Sequence, residues 1–357
     1  MRFLTSEDQA RHPTYWAICR GVAADATLLE LADQVPPPQL CVNVFLASVH
    51  HLLLEGAEHA LAQRYRSVCE RRGLAHRPTD DQALVREFAS FCDEFRAAIE
   101  ARCATRATQT NEVGRCAALH SVMAWLRANG HPDVGLLDLG CSAGLNLFVD
   151  AYAYDFSGHR AGRPGAVPEL RCELRGSVPP LVAPQVTHRV GLDLSPVDLG
   201  DDDAVAWLLA CLWPDDLERF ERLEAAMEVA SSRASEYTLV RGDMVEDLAR
   251  AAAIASDAPH LVVLNTWSAV YLPPDRRGAL ADEIASLAAS RPLTWVVMEH
   301  PVISRDLGLI DPHAAVRDGV STVCVADYRD GTVQRATLAE THHHGQWLDW
   351  FEPQGVS

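Results

Sequence analysis

Residues 136–148 read LLDLGCSAGLNLF and hold the side chains best suited to chemistry in this chain. Gly140, Ser142 and Gly144 match the G-x-S-x-G pattern around the nucleophile of many serine hydrolases. The same residues match the turn between a strand and a helix where Rossmann-like folds hold a nucleotide cofactor. Two chemistries therefore compete for Ser142, which is either a nucleophile or a small residue beside a bound cofactor.

Further polar residues follow short apolar segments along the second half of the chain. They are Asp138 in LLDLG, Asp193 in GLDLSP, Asp243 and Met244 in VRGDM, Asn265 and Thr266 in LNTW, and Glu299 and His300 in VVMEH. Ligands of open α/β sheets bind outside the carboxyl ends of the strands. If each apolar segment is a strand of one parallel sheet, these side chains meet at a single edge and line one ligand site.

Five apolar segments alternate with helical patterns from residue 109 onward, and this alternation predicts a mostly parallel sheet with right-handed crossovers. The segments are 134–139, 190–194, 237–241, 261–265 and 293–299. Two later segments, 322–326 and 333–338, flank Asp330-Gly331, a pair that favours a tight hairpin turn. The predicted fold class is α/β, with a terminal antiparallel hairpin closing the sheet.

Residues 1–108 show apolar residues at helical spacing and no clear strand, which predicts an all-α subdomain. We expect this subdomain to act as a cap or lid over a substrate pocket in the domain formed by residues 109–357. Residues 155–187 are rich in Gly, Pro and Arg, and we interpret them as an insertion that loops out of the sheet domain, with RCELR as a short strand. Helices are predicted for 112–129, for 203–232 with an interruption near Pro214, and for 146–151 directly after the glycine turn.

The order of elements separates the two chemistries. In the hydrolase fold the nucleophile follows several strands, and an earlier loop supplies an oxyanion donor. Here the residues before Ser142 have helical patterns, so no earlier sheet is available, although the order Ser142, aspartate, His300 fits a catalytic triad. The hydrolase is retained as the less favoured alternative.

The combination D-x-G-x-S-x-G, G-x-D-x-S-P and R-G-D, in residues 138–144, 191–196 and 241–243, resembles class I S-adenosylmethionine-dependent methyltransferases. The pattern departs from nicotinamide-binding folds, because Asp193 follows Gly144 by far more than the roughly 20 residues usual there. The segments QTNEVGR, RCELRG, GLDLSPVD and HGQWLDW extend the likeness to most of the chain. Together they resemble an uncharacterised bacterial family with a methyltransferase-like fold behind a helical N-terminal region.

The methyltransferase resemblance implies a role for each residue of the strand ends. Asp138, Gly140, Ser142 and Gly144 would shape the floor under the methionine part and the ribose, and Asp193 would accept hydrogen bonds from the ribose hydroxyls. Asp243 and Met244 would meet the adenine, while Asn265 and Thr266 would line the sulfonium end. A plain strand–helix turn, a capping aspartate and buried strand-end polar residues are the structural alternatives.

The segment QTNEVGR precedes the helix that leads into the first strand. Arg115 is a candidate for a bidentate pair with the carboxylate of the cofactor. Asn111 or Glu112 is a candidate ligand for the cofactor's amino group. A helix cap formed by Thr110 or Asn111, with Glu112 in the first turn, explains the same residues without any ligand.

Methyl transfer draws much of its rate from alignment and desolvation, and it needs a base only when the acceptor arrives protonated. Glu299 and His300 are the candidate catalytic residues, since they end the fifth strand and a histidine removes protons near neutral pH. His342-His343-His344 suggests a metal site, but successive strand residues point to opposite faces and cannot all converge. We predict no metal.

The formal net charge of −18 argues against broad contact with nucleic acid or an anionic membrane surface, which both favour basic proteins. The ten cysteines form no C-x-x-C motif, and neither a signal peptide nor a long apolar span is evident. These observations predict a cytoplasmic protein with a small-molecule substrate. The resemblance to class I methyltransferases implies that it uses S-adenosylmethionine to methylate that substrate. The alternatives are a relative of this fold that binds the cofactor or another nucleotide without methyl transfer, and the Ser142 hydrolase. The oligomeric state stays open.

Overall fold

The computed structural model describes residues 10–37, 39, 41–78, 80–313, 316–329 and 331–351. Asp330 of the predicted hairpin turn therefore lies outside the described residues, as do residues 1–9 of the predicted helical subdomain. The chain divides into two compact units, the first formed by Met1–Thr110 and Asp198–Glu224, the second by Asn111–Val197 and Ala225–Ser357.

The first unit is helical throughout its described elements. Its α-helices are α1 (Pro13–Ala23), α2 (Ala26–Ala32), α3 (Cys41–Leu54), α4 (Arg66–Arg72), α5 (Asp81–Glu94), α6 (Arg96–Thr105) and α8 (Asp202–Ala210), and a 3₁₀ helix spans Ala60–Arg64. In α5, Leu84, Phe88 and Phe91 recur at helical spacing and are buried, while Asp80 caps the helix by accepting from Ala83 N–H at 3.1 Å. The predicted N-terminal helical region is therefore present.

The second unit contains an eleven-stranded mixed sheet, and six of the ten strand pairings are parallel. The strands are β1 (Asp133–Leu139), β2 (Ala153–Phe156), β3 (His159–Gly162), β4 (Glu169–Leu174), β5 (Gln185–Asp193), β6 (Thr238–Arg241), β7 (Leu261–Thr266), β8 (Leu293–Glu299), β9 (Ser321–Arg329), β10 (Thr332–Thr341) and β11 (Trp347–Trp350). The helices that carry residues of this unit are α7 (Cys116–Ala128), α9 (Leu217–Ser232, divided between the units after Glu224), α10 (Leu248–Ala252), α11 (Pro274–Ser290) and α12 (Pro301–Asp306).

Five consecutive parallel strands form one end of the sheet in the order β6-β5-β1-β7-β8, with β6 at the outer edge, and we call these five the central strands. Their register brings Leu139 opposite Asn265, Asp193 opposite Arg241 and Thr266 opposite Met298. The carboxyl ends of the five strands consequently lie along one edge. The strand order reverses between β1 and β7, which makes that gap the topological switch point of the sheet.

The insertion adds three strands, β2 to β4, to the sheet. After the β9–β10 hairpin, β11 pairs with β10 and then with β4, so the insertion continues the sheet beyond its C-terminal strands. The sequence analysis expected one short strand in a segment that loops out. The pairing of Trp347 with Glu173 and of Leu348 with Leu174 depends on residues far apart in the chain, which no local pattern shows.

The helix predicted for 146–151 is wrong. A single 3₁₀ turn, Leu145–Phe148, follows the glycine turn, and the chain then enters β2 at Ala153. Side chains take the carbonyls that a helix would use, because Tyr152 Oη donates to Leu145 and Arg189 Nη1 donates to Leu147. The four residues of the 3₁₀ turn are all buried, so no solvent face exists for an amphipathic helix.

The helical segment predicted for 203–232 is interrupted as expected, between α8 and α9. The segment predicted for 112–129 begins as a 3₁₀ turn at Val113–Arg115 before α7 starts at Cys116. Within the described ranges, no helix has both the length and the apolar character that crossing a membrane requires.

Candidate functional site

The glycine turn after β1 forms the centre of the candidate site. Gly140, Ser142 and Gly144 all have positive φ angles, of 76°, 53° and 74°. A Cβ at Gly140 would lie 2.4 Å from Cβ of Ser268, so only glycine allows the loop after β7 to approach this closely. Ser142 is a rare non-glycine residue in this region of backbone space, where it is strained.

Asp193 ties the end of β5 to this turn. Its Oδ2 accepts from the backbone N–H of Ser142 at 2.8 Å, and its Oδ1 accepts from the N–H of Ser195 at 2.8 Å. The carboxylate therefore accepts hydrogen bonds from two loops, which is the structural role that the sequence analysis named as the alternative to ribose binding. Each carboxylate oxygen has a second lone pair, so a ligand hydroxyl can still bind to this partly exposed side chain.

Asp138 lies beneath the turn and is fully buried at the end of β1. Burial, together with the nearby Asp193 carboxylate, raises the pKa of Asp138 to about 7, against opposing effects of a hydrogen bond to Asn146 and of the Arg115 charge. Its Oδ2 has no hydrogen-bond partner among the described residues. A group that donates a proton or carries positive charge would satisfy this oxygen.

Asn111 and Arg115 reach the switch point from the segment before α7. Asn111 Nδ2 donates to the carbonyl of Cys141 in the glycine turn at 3.2 Å, while its Oδ1 is buried without a partner among the described atoms. Arg115 donates from Nε to the carbonyl of His343 at 2.9 Å and from Nη1 to the carbonyl of Thr266 at 3.3 Å. Its guanidinium carbon lies 5.7 Å from the ring centre of Trp267.

The loop of residues 342–345, between β10 and β11, packs against this segment, and we call it the histidine loop. A Cβ on Gly114 would lie 2.3 Å from the carbonyl oxygen of His344, so the two backbones are in close contact. Nδ1 of His344 lies 3.3 Å from Oε2 of the buried Glu112. The sequence alone did not predict this contact, because a triplet of histidines gives no sign that His344 has a partner 232 residues earlier in the chain.

The ends of β7 and β8 form the other side of the site. Oε1 of Glu299 accepts from the backbone N–H groups of Ser268 and Ala269 at 2.7 and 2.8 Å, and Oε2 is buried with no partner in the described part of the chain. Burial raises the pKa of Glu299 to about 7, against the lowering effect of those two hydrogen bonds. Oγ1 of Thr266 is likewise buried and lacks a described partner.

Trp267 links this side to the histidine loop. Its φ is 55°, its Nε1 donates to Ser321 Oγ at 2.8 Å, and Ser321 Oγ lies 2.9 Å from His343 Nδ1. The rings of Trp267 and His343 meet edge to face with centres 4.7 Å apart. Burial lowers the pKa of His343 to about 4, with the same direction of effect from His342 and Arg115. This histidine is therefore neutral near pH 7.

Other predicted site residues are committed to structural contacts. Asn265 receives a hydrogen bond from Trp295 Nε1 at 2.9 Å and donates to Ser268 Oγ at 3.0 Å. Its Nδ2 also lies 3.8 Å from the sulfur of Met244, so Met244 does reach this end of the sheet. His300 caps α12, with Nδ1 accepting from Val302 N–H at 3.3 Å.

Asp243 forms a bidentate pair with Arg276, with both N–O distances at 2.9 Å. Burial alone would raise the pKa of Asp243, but the Arg276 pair and the backbone N–H groups of Val245 and Glu246 together lower it. The carboxylate is thereby held ionised and directed at α11. The arginine was missed because no spacing rule connects residues 243 and 276.

The histidine triplet lies in a loop. Among the described residues, its rings belong to no group of three ligand atoms close enough together to hold one metal ion. His131, His260 and Asp327 do bring one ligand atom each to within 4.8 Å of one another. Asp327 is, however, paired with Arg329 at 2.7 Å, and this charge opposes a bound cation. The geometry favours a hydrogen-bonded cluster there, with Thr294 joining His260 to Asp327.

The fold and these residues define a mixed α/β protein with a polar candidate ligand site at the carboxyl edge of its central strands. The chain belongs to a family of uncharacterized proteins conserved in bacteria, DUF2332, whose sequence profile matches residues 2–350. The resemblance to an uncharacterised bacterial family is thus confirmed. No curated protein matches the chain.

Proposed function

We propose that this protein is an S-adenosylmethionine-dependent methyltransferase that acts on a small molecule. The central strand order corresponds to the 3-2-1-4-5 arrangement of Rossmann-like folds, and the glycine turn follows the first of these strands at the switch point. One observation carries the proposal. Buried polar atoms without described partners gather at that switch point, where a ligand would bind: Asn111 Oδ1, Asp138 Oδ2, Ser142 Oγ and Thr266 Oγ1.

The residues fit the amino-acid end of S-adenosylmethionine. Asp138, Asn111 and Thr266 present oxygen atoms that can accept from an ammonium group, and buried polar atoms in native proteins nearly always have a partner. Arg115 supplies a cation beside them for the carboxylate. The raised pKa of Asp138 fits as well, because an ammonium bound nearby would favour the ionised carboxylate.

The fit at the nucleoside end rests on Asp193. Its carboxylate lies at the end of the second central strand, beside the turn, with lone pairs left for the two ribose hydroxyls. Met244 can pack against the adenine, whereas Asp243 is held by Arg276 and would reach the adenine only with that pair loosened. We therefore assign the ribose to Asp193 and leave Asp243 with Arg276.

When bound, S-adenosylmethionine supplies a methyl group on a sulfonium for in-line displacement. At the ends of β7 and β8 the chain would align the acceptor and exclude water. These two effects contribute much of the rate of methyl transfer. Glu299 can take a proton from the acceptor at Oε2, because its Oε1 is fixed by two backbone N–H groups and its pKa lies near 7. His300 is less suited, since Nδ1 caps α12.

The net charge of −18 favours a small acceptor over nucleic acid. A nucleotide-binding relative without methyl transfer uses the same strand-end residues and remains the first alternative. The Ser142 hydrolase has one supporting observation, the positive φ of Ser142, which matches the strained turn of a nucleophile elbow. It lacks a base, because no histidine of the described residues bonds Ser142 Oγ.

Calorimetric titration with S-adenosylmethionine and with its demethylated product tests the proposal. We expect both to bind, and Asp193→Ala to weaken both about tenfold, in line with the loss of hydrogen bonds to a charged group. Asp282→Asn, on the exposed face of α11, is the matched control and should leave binding unchanged. Absence of binding of either compound would overturn the cofactor. Labelling of Ser142 by a fluorophosphonate probe would instead favour the hydrolase.

A further inference from the structure

A cavity of about 550 Å³ lies within the sheet unit and away from the switch point. Its lining comes from α7, from the β2–β3 region and from residues 181–185. Gln185 begins β5 and pairs with Asp133, which begins β1. The cavity therefore adjoins the amino ends of these strands, at the edge opposite to the candidate cofactor site.

Two groups in this cavity have unmet hydrogen-bonding capacity. His120 is 1% exposed, its ring lies 4.2 Å from that of Tyr154, and neither of its nitrogens has a partner in the described structure. Oδ2 of Asp150 pairs with Arg189 at 2.8 Å, but its Oδ1 is buried and unpartnered among the described atoms. Buried polar atoms in folded proteins nearly always have a partner, so ordered water or a bound ligand must satisfy these atoms.

Three arginines line the cavity, although the whole chain carries a net charge of −18. Arg160 is paired with Asp155 and Glu169. Arg127 and Arg163 are both exposed. Glu236 forms its ion pair with Arg233, which lowers the pKa of this carboxylate, and the Arg163 charge helps to lower it further. Since the Asp150 charge is balanced by Arg189, the cavity presents a local excess of positive charge.

We propose that this cavity binds a small organic anion, a carboxylate or a phosphate ester, that also carries a hydroxyl group. Arg127 and Arg163 hold the anionic group by charge-assisted hydrogen bonds. Oδ1 of Asp150 accepts from the hydroxyl, and a nitrogen of His120 completes the contact. Val182, 65% exposed at the same cavity, offers apolar contact to a short carbon chain. This site is independent of the proposed methyl transfer and gives the insertion a ligand-binding role.

Calorimetry on the full chain distinguishes a phosphate ester from a carboxylate. Glycerol 3-phosphate and lactate are the probes that carry both an anionic group and a hydroxyl. Inorganic phosphate carries only the anionic group, and glycerol carries only hydroxyls. We expect one hydroxylated anion to bind at least tenfold more tightly than inorganic phosphate, and glycerol not to bind. Arg127→Gln and Arg163→Gln should each weaken that binding about tenfold. Arg171→Gln, an exposed residue of β4, is the matched control and should have no effect.

His120→Phe keeps an aromatic ring against Tyr154 but removes both nitrogens. This variant should bind the hydroxylated anion more weakly, while its midpoint of thermal unfolding should not fall. The proposal is overturned if neither hydroxylated anion binds, if inorganic phosphate binds equally well, or if Arg171→Gln weakens binding as much as the cavity variants do. If neither hydroxylated anion binds, ordered water is left as the partner of His120 and Asp150.

Discussion

Asp193 Oδ2 accepts a 2.8 Å hydrogen bond from the backbone N–H of Ser142, and this bond fastens the glycine turn after β1 to the end of β5. The same carboxylate accepts from Ser195 N–H through Oδ1, so one side chain organises two loops at the switch point. A ligand bound there meets a preformed turn. In the proposed function the same carboxylate would also bind the ribose hydroxyls, so the first prediction tests its structural role separately.

Replacing Asp193 by alanine should lower the free energy of unfolding by about 2 kcal/mol, because Ser142 N–H loses its acceptor in a buried setting. Urea unfolding at pH 7 measures the change. The control is Asp282→Asn, which alters a carboxylate on the exposed surface of α11 and should shift stability by no more than about 0.5 kcal/mol. Equal stability of Asp193→Ala and the parent chain would contradict the structural role.

Ser142→Gly should stabilise the protein by about 1 kcal/mol. Ser142 has a φ of 53°, which glycine adopts without a Cβ penalty, and the change also removes a buried hydroxyl that has no described partner. Thermal unfolding and titration with S-adenosylmethionine on the same variant give the comparison. A loss of stability would show that the hydroxyl makes a contact of real strength. If Ser142→Gly still binds S-adenosylmethionine, Ser142 acts as a small residue beside the cofactor and its hydroxyl is not needed as a nucleophile.

Asp138→Asn should make stability less dependent on pH. The pKa of Asp138 rises from 3.8 to about 7 on folding, so between these values the unfolded chain releases a proton that the folded chain keeps. Its contribution to the free energy of unfolding is therefore complete below about pH 4 and is lost as pH rises towards 7. The variant should gain stability relative to the parent chain between pH 4 and pH 8, by up to about 4 kcal/mol.

The measurement is urea unfolding at several pH values. Glu299→Gln should behave in the same direction, because burial raises its pKa to about 7 as well. Each variant keeps the other carboxyl, so the effects can be separated by subtraction. If the difference in the free energy of unfolding between Asp138→Asn and the parent chain stays constant across this pH range, the pKa of Asp138 is not raised.

His300 should respond to substitution as a helix cap. His300→Asn, which preserves an acceptor at the capping position before α12, should keep near-parent stability, whereas His300→Ala should lose about 1 kcal/mol. Thermal unfolding of the two variants decides this. A methyl-transfer assay adds a second test once an acceptor is known. If His300 is a catalytic base, both variants should lose activity. If it only caps the helix, His300→Asn should keep its activity.

The sequence predicted the five central strands to within a few residues, apart from the start of β5. Parallel strands buried on both faces read as short continuous apolar segments, so 134–139 and 293–299 were recognisable without knowledge of their neighbours. The same logic predicted that Asp138, Asp193, Thr266 and Glu299 would lie at one edge, because each ends such a segment. The mixed α/β fold and the helical N-terminal region needed only local patterns.

Tertiary structure decided what those side chains contact. Arg276 reaches Asp243, Arg189 takes a carbonyl of the turn that replaces the expected helix, and the histidine loop packs on Gly114. Each contact joins residues distant in the chain, and nothing in local periodicity encodes it. Apolar periodicity is a property of neighbouring residues, whereas pairing, burial and the pKa values near 7 arise only when remote segments exclude water together.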